Sequence, residues 1–275
     1  MKNRQEPWDR PIGIFDSGVG GLTVVKEIMK LLPFEAIIYF GDTARVPYGT
    51  KSKETITRFA MEDATFLLKK NVKAIVVACN SVSSNSIEYL KSSFDIPIIG
   101  VIEPGALYAC KKTRNKKIGI TGTAATIESG AYEYSIREIC PEAVVYSKSC
   151  PLFVPLAEEG WIEKESTFFI ARDYLQELLD KDIDTLLLGC THYPILKQVI
   201  QKVVGKGIFL IDSAYFTAIA LKELLEENNL LRKSTTIIEP LFFLSDIPRR
   251  FSEIGERFLG KRIKKISVVD VTKQT

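Results

Sequence analysis

Histidine is almost missing from this chain: of 275 residues only His192 is one, and no two of the five cysteines stand at CxxC spacing. That pairing of absences removes the ligand sets on which protein zinc sites are usually built. No lysine motif for a pyridoxal Schiff base stands out either, so the sequence points to a protein that works with no cofactor and no metal. No run approaches the ~20 apolar residues of a membrane helix. The opening MKNRQEPWDR is polar and holds no apolar stretch of the kind a secretory signal needs, so no membrane association and no export are expected. A strong charge of one sign is lacking too. Lys and Arg number 37 against 34 Asp and Glu, a net charge of +3, too small an excess to imply a polyanionic partner. The basic runs at 111–117 and 261–265 read as solvated loops, the second without the interleaved aromatics that stack bases, and no nucleic-acid partner is expected.

What is present is a globular composition, 46% hydrophobic and 26% charged with 12 prolines. The length favours two domains over one, since single cores seldom grow beyond about 250 residues. The odd cysteine count, Cys79, Cys110, Cys140, Cys150 and Cys190, argues for free thiols in a reducing cytoplasm.

Short apolar runs alternate with amphipathic stretches. IGIF (12–15), AIIYF (36–40), AIVVA (74–78) and PIIGV (97–101) read as strands buried on both faces, with helical spacing between them at 22–32 and 53–71. The rhythm restarts with KIGIT (117–121), VVYS (144–147), TLLLG (185–189) and IFLID (208–212). IGIFDS (12–17) lines up with IGITGT (118–123), and AIVVACNS (74–81) matches DTLLLGCTHYP (184–194) at the cysteine. The fold class is therefore α/β: two pseudo-symmetric domains, each a mostly parallel sheet flanked by helices, with the active site in the cleft between them. The segment after Asp212, through FTAIALKELLEENNLL and PLFFLSD, is expected to cross back to the first half. The boundaries are then 1–105 plus 217–275 for the first domain and 106–216 for the second.

In such a fold Cys79 and Cys190 each end an apolar strand, one on each wall of the cleft. Moving a proton off one face of a carbon and replacing it from the other needs two groups on opposite sides, each able to act as acid or base. A thiol, with an ordinary pKa near 8.5, suits that task. Asn80 and Ser81 after Cys79, and Thr191 and His192 after Cys190, are polar where a strand end would otherwise be apolar, and can bind an amino acid's carboxylate and ammonium. His192 beside Cys190 can tune the thiol or share its proton. Cys110, Cys140 and Cys150 lack this context and read as core residues. The turn Asp16-Ser17-Gly18-Val19-Gly20-Gly21 lies between a strand and a helix, where backbone N–H groups meet anions; it is neither GxGxxG nor a P-loop, so it suits a small carboxylate, with Asp16 adjusting a neighbouring thiol. Asp16 as a plain helix cap, and His192 as a structural histidine, are the competing readings of those two residues.

Six segments in order, DSGVGGLTV (16–24), YFGDTARVPYG (39–49), ACNS (78–81), GTAATIESGAY (122–132), CPLFVPLAEEG (150–160) and LGCTHYP (188–194), resemble the successive motifs of the glutamate racemases, in the aspartate/glutamate racemase superfamily. The last is shared with aspartate racemases; its combination with DSGVGG and the VPYG loop is more specific. The resemblance implies a cofactor-independent bacterial cytoplasmic enzyme, commonly a homodimer, that converts L-glutamate to D-glutamate for peptidoglycan. By motif match it gives Cys79 the D-enantiomer's proton with Asp16 near it, and Cys190 the L-enantiomer's with His192 and Glu158 near it, Glu159 being an adjacent candidate for the last role. Ser17, Pro47, Tyr48, Gly49, Asn80, Ser81, Thr123 and Thr191 would line the substrate pocket, with Thr126 a further candidate. Ser81 departs from the family's usual threonine; it keeps the hydroxyl and loses a methyl. Two other readings stay open on sequence alone: a racemase of aspartate or another small acid, and a non-catalytic amino-acid-binding module with both thiols structural.

Overall fold

The computed structural model describes residues 6–271; the outermost parts of the first expected domain, 1–5 and 272–275, lie outside the described residues. The strands are β1 (Ile12–Asp16), β2 (Ile37–Gly41), β3 (Ala74–Val77), β4 (Ile98–Gly100), β5 (Lys117–Gly122), β6 (Val144–Ser149), β7 (Thr185–Gly189), β8 (Phe209–Asp212), β9 (Leu241–Leu244) and β10 (Ile266–Val268). They form one six-stranded sheet in the order β10-β9-β2-β1-β3-β4 and one four-stranded sheet in the order β6-β5-β7-β8. Every recorded pairing is parallel.

The apolar runs become central strands because helices cover both faces. β1, β2, β3 and β7 are buried along their whole length, whereas β6 closes an edge and is half exposed. The helix Leu22–Leu31 turns Leu22, Val24, Val25 and Ile28 inward. The helix Lys53–Lys69 starts where the Ser52 hydroxyl accepts from the Thr55 N–H, and buries Ile56, Phe59, Ala60, Phe66 and Leu67 at three- and four-residue spacing.

The internal duplication is visible in the strand order. In the first sheet β2, β1, β3 and β4 stand in the sequence that β6, β5, β7 and β8 repeat in the second. In each, the chain leaves the inner strand to one side and then crosses to the other, creating a switch point at the C-terminal ends of β1 and β3 and of β5 and β7, where open parallel sheets bind ligands. Asp16 and Ser17 follow β1, Cys79 follows β3, Thr123 follows β5 and Cys190 follows β7. The chain then returns: β9 pairs with β2, placing Leu241 beside Ile38, and β10 pairs with β9.

Hydrogen bonds join the halves around these strand ends. The Ser81 and Thr123 hydroxyls are 3.0 Å apart, Thr23 donates to the carbonyl of Thr191 at 3.0 Å, and the Tyr132 hydroxyl donates to the Asn80 side-chain carbonyl at 2.7 Å.

At the opposite end of the first sheet sits a buried ion pair. Lys73, just before β3, places Nζ 2.5 Å from Glu35 and donates to the carbonyls of Trp8 and Leu230. Glu35 accepts in turn from the backbone N–H of Arg232 at 2.8 Å. Residues far apart in sequence thus meet on one buried cation. Glu35→Ala leaves that cation without its counter-charge and is expected to cost about 3–5 kcal/mol in a urea unfolding experiment; an unchanged unfolding midpoint would show the pair to be dispensable.

Candidate active site

A cavity of about 360 Å³ lies between the two sets of strand ends. Ser17, Pro47, Tyr48, Gly49, Cys79, Asn80, Ser81, Thr123, Glu158, Cys190, Thr191 and His192 all line it. Asp16 does not reach the wall: it is fully buried beneath it. Thr126 is also set back, its hydroxyl 3.0 Å from that of Thr123. The other thiols, Cys110, Cys140 and Cys150, are free and lie elsewhere.

The two cavity thiols have different surroundings. Cys79, 5% exposed, donates to the Ser17 hydroxyl at 3.6 Å. Burial first, and then the negative charge of Asp16, push its thiol up to about 12, so it is protonated at neutral pH. Cys190, 6% exposed, has its sulfur 3.8 Å from Nδ1 of His192. The far nitrogen of that ring, Nε2, is 2.8 Å from Glu158. Burial disfavours the imidazolium, but the hydrogen bonds to Cys190 and Glu158 outweigh it and raise His192 to about 10. Glu158 and Glu159, equivalent in sequence, part company here: Glu159 turns outward to Arg250, at 2.7 Å.

In the glycine-rich turn after β1, the N–H of Gly18 donates to Oδ2 of Asp16 at 3.0 Å, so this one amide of the turn is occupied by the protein's own carboxylate. Asp16 is not the cap of the next helix, whose N-cap is Gly21. Burial raises its carboxyl, with the positive charge of His192 and the Gly18 N–H pulling the other way. Gly20 serves close approach: a Cβ there would lie 2.2 Å from the Thr191 hydroxyl and 2.6 Å from the His192 ring.

Asn80 is held by Tyr132 through its carbonyl, while its buried Nδ2 has no hydrogen-bond partner among the described residues. A buried donor left open in this way is costly unless something accepts from it, which suits a carboxylate-bearing ligand. The loop carrying Pro47, Tyr48 and Gly49 is braced from behind. The Tyr48 hydroxyl donates to Asp42, and Arg45 pairs with Asp42, Glu62 and Asp63. Gly18, Val19, Val46, Thr50, Ala124, Pro151, Val154 and Pro155 complete the wall; the last three lie inside CPLFVPLAEEG, the segment that also carries Glu158, and only that proximity could have flagged them.

Two buried thiols thus face one cavity, each with its own charged neighbour, and comparison with known proteins gives the class of enzyme to which the chain belongs. Residues 12–221 match the model of the Asp/Glu/Hydantoin racemase family, and the chain belongs to that family. Its similarities lie with the glutamate racemases. That of Geobacter metallireducens is 52% identical over 257 residues, covering 94% of this chain and 95% of the relative. The crystal structure of glutamate racemase from Francisella tularensis in complex with D-glutamate superposes with a TM-score of 0.91 at 42% identity, covering 97% of this chain and 99% of that one. The enzyme from Thermus thermophilus in complex with β-chloro-D-alanine gives 0.88 at 43%, covering 98% and 100%.

Two outcomes follow from this geometry. Gly20→Ala forces Thr191 and His192 away from the turn and is expected to lower turnover roughly 100-fold while costing only about 1–3 kcal/mol of stability; a parental rate would show that the close approach is unnecessary. Because His192 is raised from 6.5 to about 10 on folding, its protonated form adds stability that is complete below about pH 6.5 and is lost as pH rises through about 10. Urea midpoints across that window should fall in the parent relative to His192→Gln, and parallel curves would mean that the histidine is not held charged.

Proposed function

We propose that the protein interconverts L- and D-glutamate by cofactor-independent transfer of the α-proton between Cys190 and Cys79. The observation that carries this reading is the opposition of those two thiols across one cavity. Starting from L-glutamate, the Cys190 sulfur, as thiolate beside the His192 imidazolium, takes the α-hydrogen as a proton. The electron pair of the broken C–H bond passes into the substrate carboxylate. The Cys79 thiol, protonated at neutral pH, gives its proton to the opposite face. D-Glutamate, a Cys190 thiol and a Cys79 thiolate result, and the reverse reaction starts from that state. Asp16 biases Cys79 through its charge, and Glu158 holds His192. Ser17, Asn80, Ser81, Thr123, Thr191 and the Pro47-Tyr48-Gly49 loop fix the substrate's carboxylates and ammonium. The weak acidity of the α-hydrogen is met by positioning, exclusion of water and stabilisation of the carbanion-like transition state.

The same reading makes the product the D-glutamate of bacterial peptidoglycan. It sets the reaction in the cytoplasm, in keeping with five free thiols, and takes the working unit as a homodimer of chains with two domains, 1–105 plus 217–275 and 106–216, that close over the substrate.

Incubation with either enantiomer in deuterium oxide, without added cofactor, tests it. Optical rotation should decay to zero as deuterium enters the α-position, and Cys79→Ser and Cys190→Ser should each reduce the rate by about 10³-fold or more. Parental rates in both variants would end the two-thiol mechanism. Exchange on aspartate but not glutamate would move the substrate, and binding with no exchange would leave a binding module.

A further inference from the structure

The helix Phe251–Leu259 joins β9 to β10, so it belongs to the first sheet's layer, and it packs on the helix Leu22–Leu31. It nonetheless touches the Cys190 side of the cavity three times. The fully buried ring of Phe258 meets the His192 ring edge to face, with centroids 5.2 Å apart. Arg257 donates through Nη1 to the carbonyl of Glu158 at 3.0 Å and lies within 3.4 Å of that of Ala157. Its guanidinium rests on Gly160, where a Cβ would come within 2.7 Å. Arg250, the residue just before the helix, adds an ion pair with Glu159. Both carbonyls belong to the last turn of the helix Phe153–Glu158; that of Ala157 also accepts from the Gly160 N–H at 3.2 Å.

We propose that the helix Phe251–Leu259 is a clasp between the halves, and that Arg257 is a positioning residue which, by holding the end of the helix Phe153–Glu158, keeps the Glu158 carboxylate on Nε2 of His192. The inference rests on the racemase reading of this site. It assigns Arg257 no contact with substrate: it acts through Glu158 and His192. Phe258 fixes the plane of the imidazole while Arg257 fixes its partner, so the ring is held from two directions by one helix. None of these three contacts involves Cys79, Ser17 or Asp16. The two ends of the proton-transfer path therefore differ in support: the Cys79 end is braced within the first half, and the Cys190 end is aligned only when the halves are clasped.

The charged and titratable groups around His192 are Cys190 on its own segment, Glu158 from the helix Phe153–Glu158, Asp16 at the end of β1, and Arg257 from the clasp. That set makes the direction of change diagnostic. Loss of the Arg257 charge alone would favour imidazolium and raise the histidine's titration point, whereas a Glu158 released from Nε2 would lower it. His192 is the one histidine in the sequence, so its ring proton signals are unique in an NMR titration.

The experiment compares the parent with Arg257→Ala and Arg257→Lys in full-length protein. Arg257 is a partly exposed side chain, and circular dichroism would show that both variants are folded. In Arg257→Ala the His192 titration should move down from its position near 10, kcat should fall roughly tenfold with KM changed less, and the alkaline limb of the rate profile should move down with it. Arg257→Lys, which can still donate to the Glu158 carbonyl, should recover most of both. An unchanged or raised titration point, or a parental kcat in Arg257→Ala, would overturn the proposal. If Arg257→Ala were unfolded, Arg257→Met, which keeps the length of the side chain but not its donors, takes its place: a titration point moved down with folding intact supports the clasp, and an unchanged or raised one overturns it. Should the parent itself fail to racemise glutamate, the racemase reading falls while the titration still tests the clasp on Glu158.

Discussion

A parallel sheet has a direction: every strand delivers its C-terminal end to the same edge, and with it the loop that follows. The structure depends on two such edges being turned toward each other. Once β1, β3, β5 and β7 point into one space, the residues that follow them meet there, whatever their distance along the chain. Tight contact between the edges then sets the demands on individual positions: a residue without a side chain at Gly20, hydroxyls rather than bulk at Ser81 and Thr123, and an acceptor at Asn80 for the Tyr132 hydroxyl.

Repetition supplies the two walls, and departures from repetition supply their chemistry. The inner four strands of both sheets follow one order, yet the thiols they carry have different neighbours. Cys79 sits over a buried carboxylate that discourages a second negative charge, while Cys190 sits beside an imidazole whose pKa is raised by its hydrogen bonds to Cys190 itself and to Glu158. The duplicated frame therefore places two like residues in unlike electrostatic surroundings.

Much of this was legible in sequence because buried parallel strands are continuous apolar runs. β1 to β5, β7 and β8 announced themselves in that way, and the paired cysteines stood out as thiols followed by polar residues where a strand had just ended. β10 was not legible: Ile266–Val268 is short, half exposed and set beside a basic run. Glu158 was named over Glu159 by motif match alone, because neighbouring residues differ in the direction they face, and direction is set by the packing of Ala157 and Leu156 beneath them. Asp16 lies where its charge bears on Cys79, but its capture of the Gly18 amide is a matter of turn geometry that composition does not record. The contacts of Arg257 and Phe258 were invisible for another reason: about a hundred residues separate Arg257 from the carbonyls it holds, and no motif joins them.

The return of the chain to the first sheet also has a consequence for how the molecule comes into being. The second sheet draws its strands from one uninterrupted stretch, β5 through β8, so it can assemble as soon as that stretch has left the ribosome. The first sheet begins earlier but ends last, since β9 must reach back past the whole second sheet to cover β2. Until it does, β2 presents an unpaired edge, open to other chains. The half that is translated first is therefore the half that is finished last, and the nascent protein carries an uncovered strand edge through most of its own synthesis.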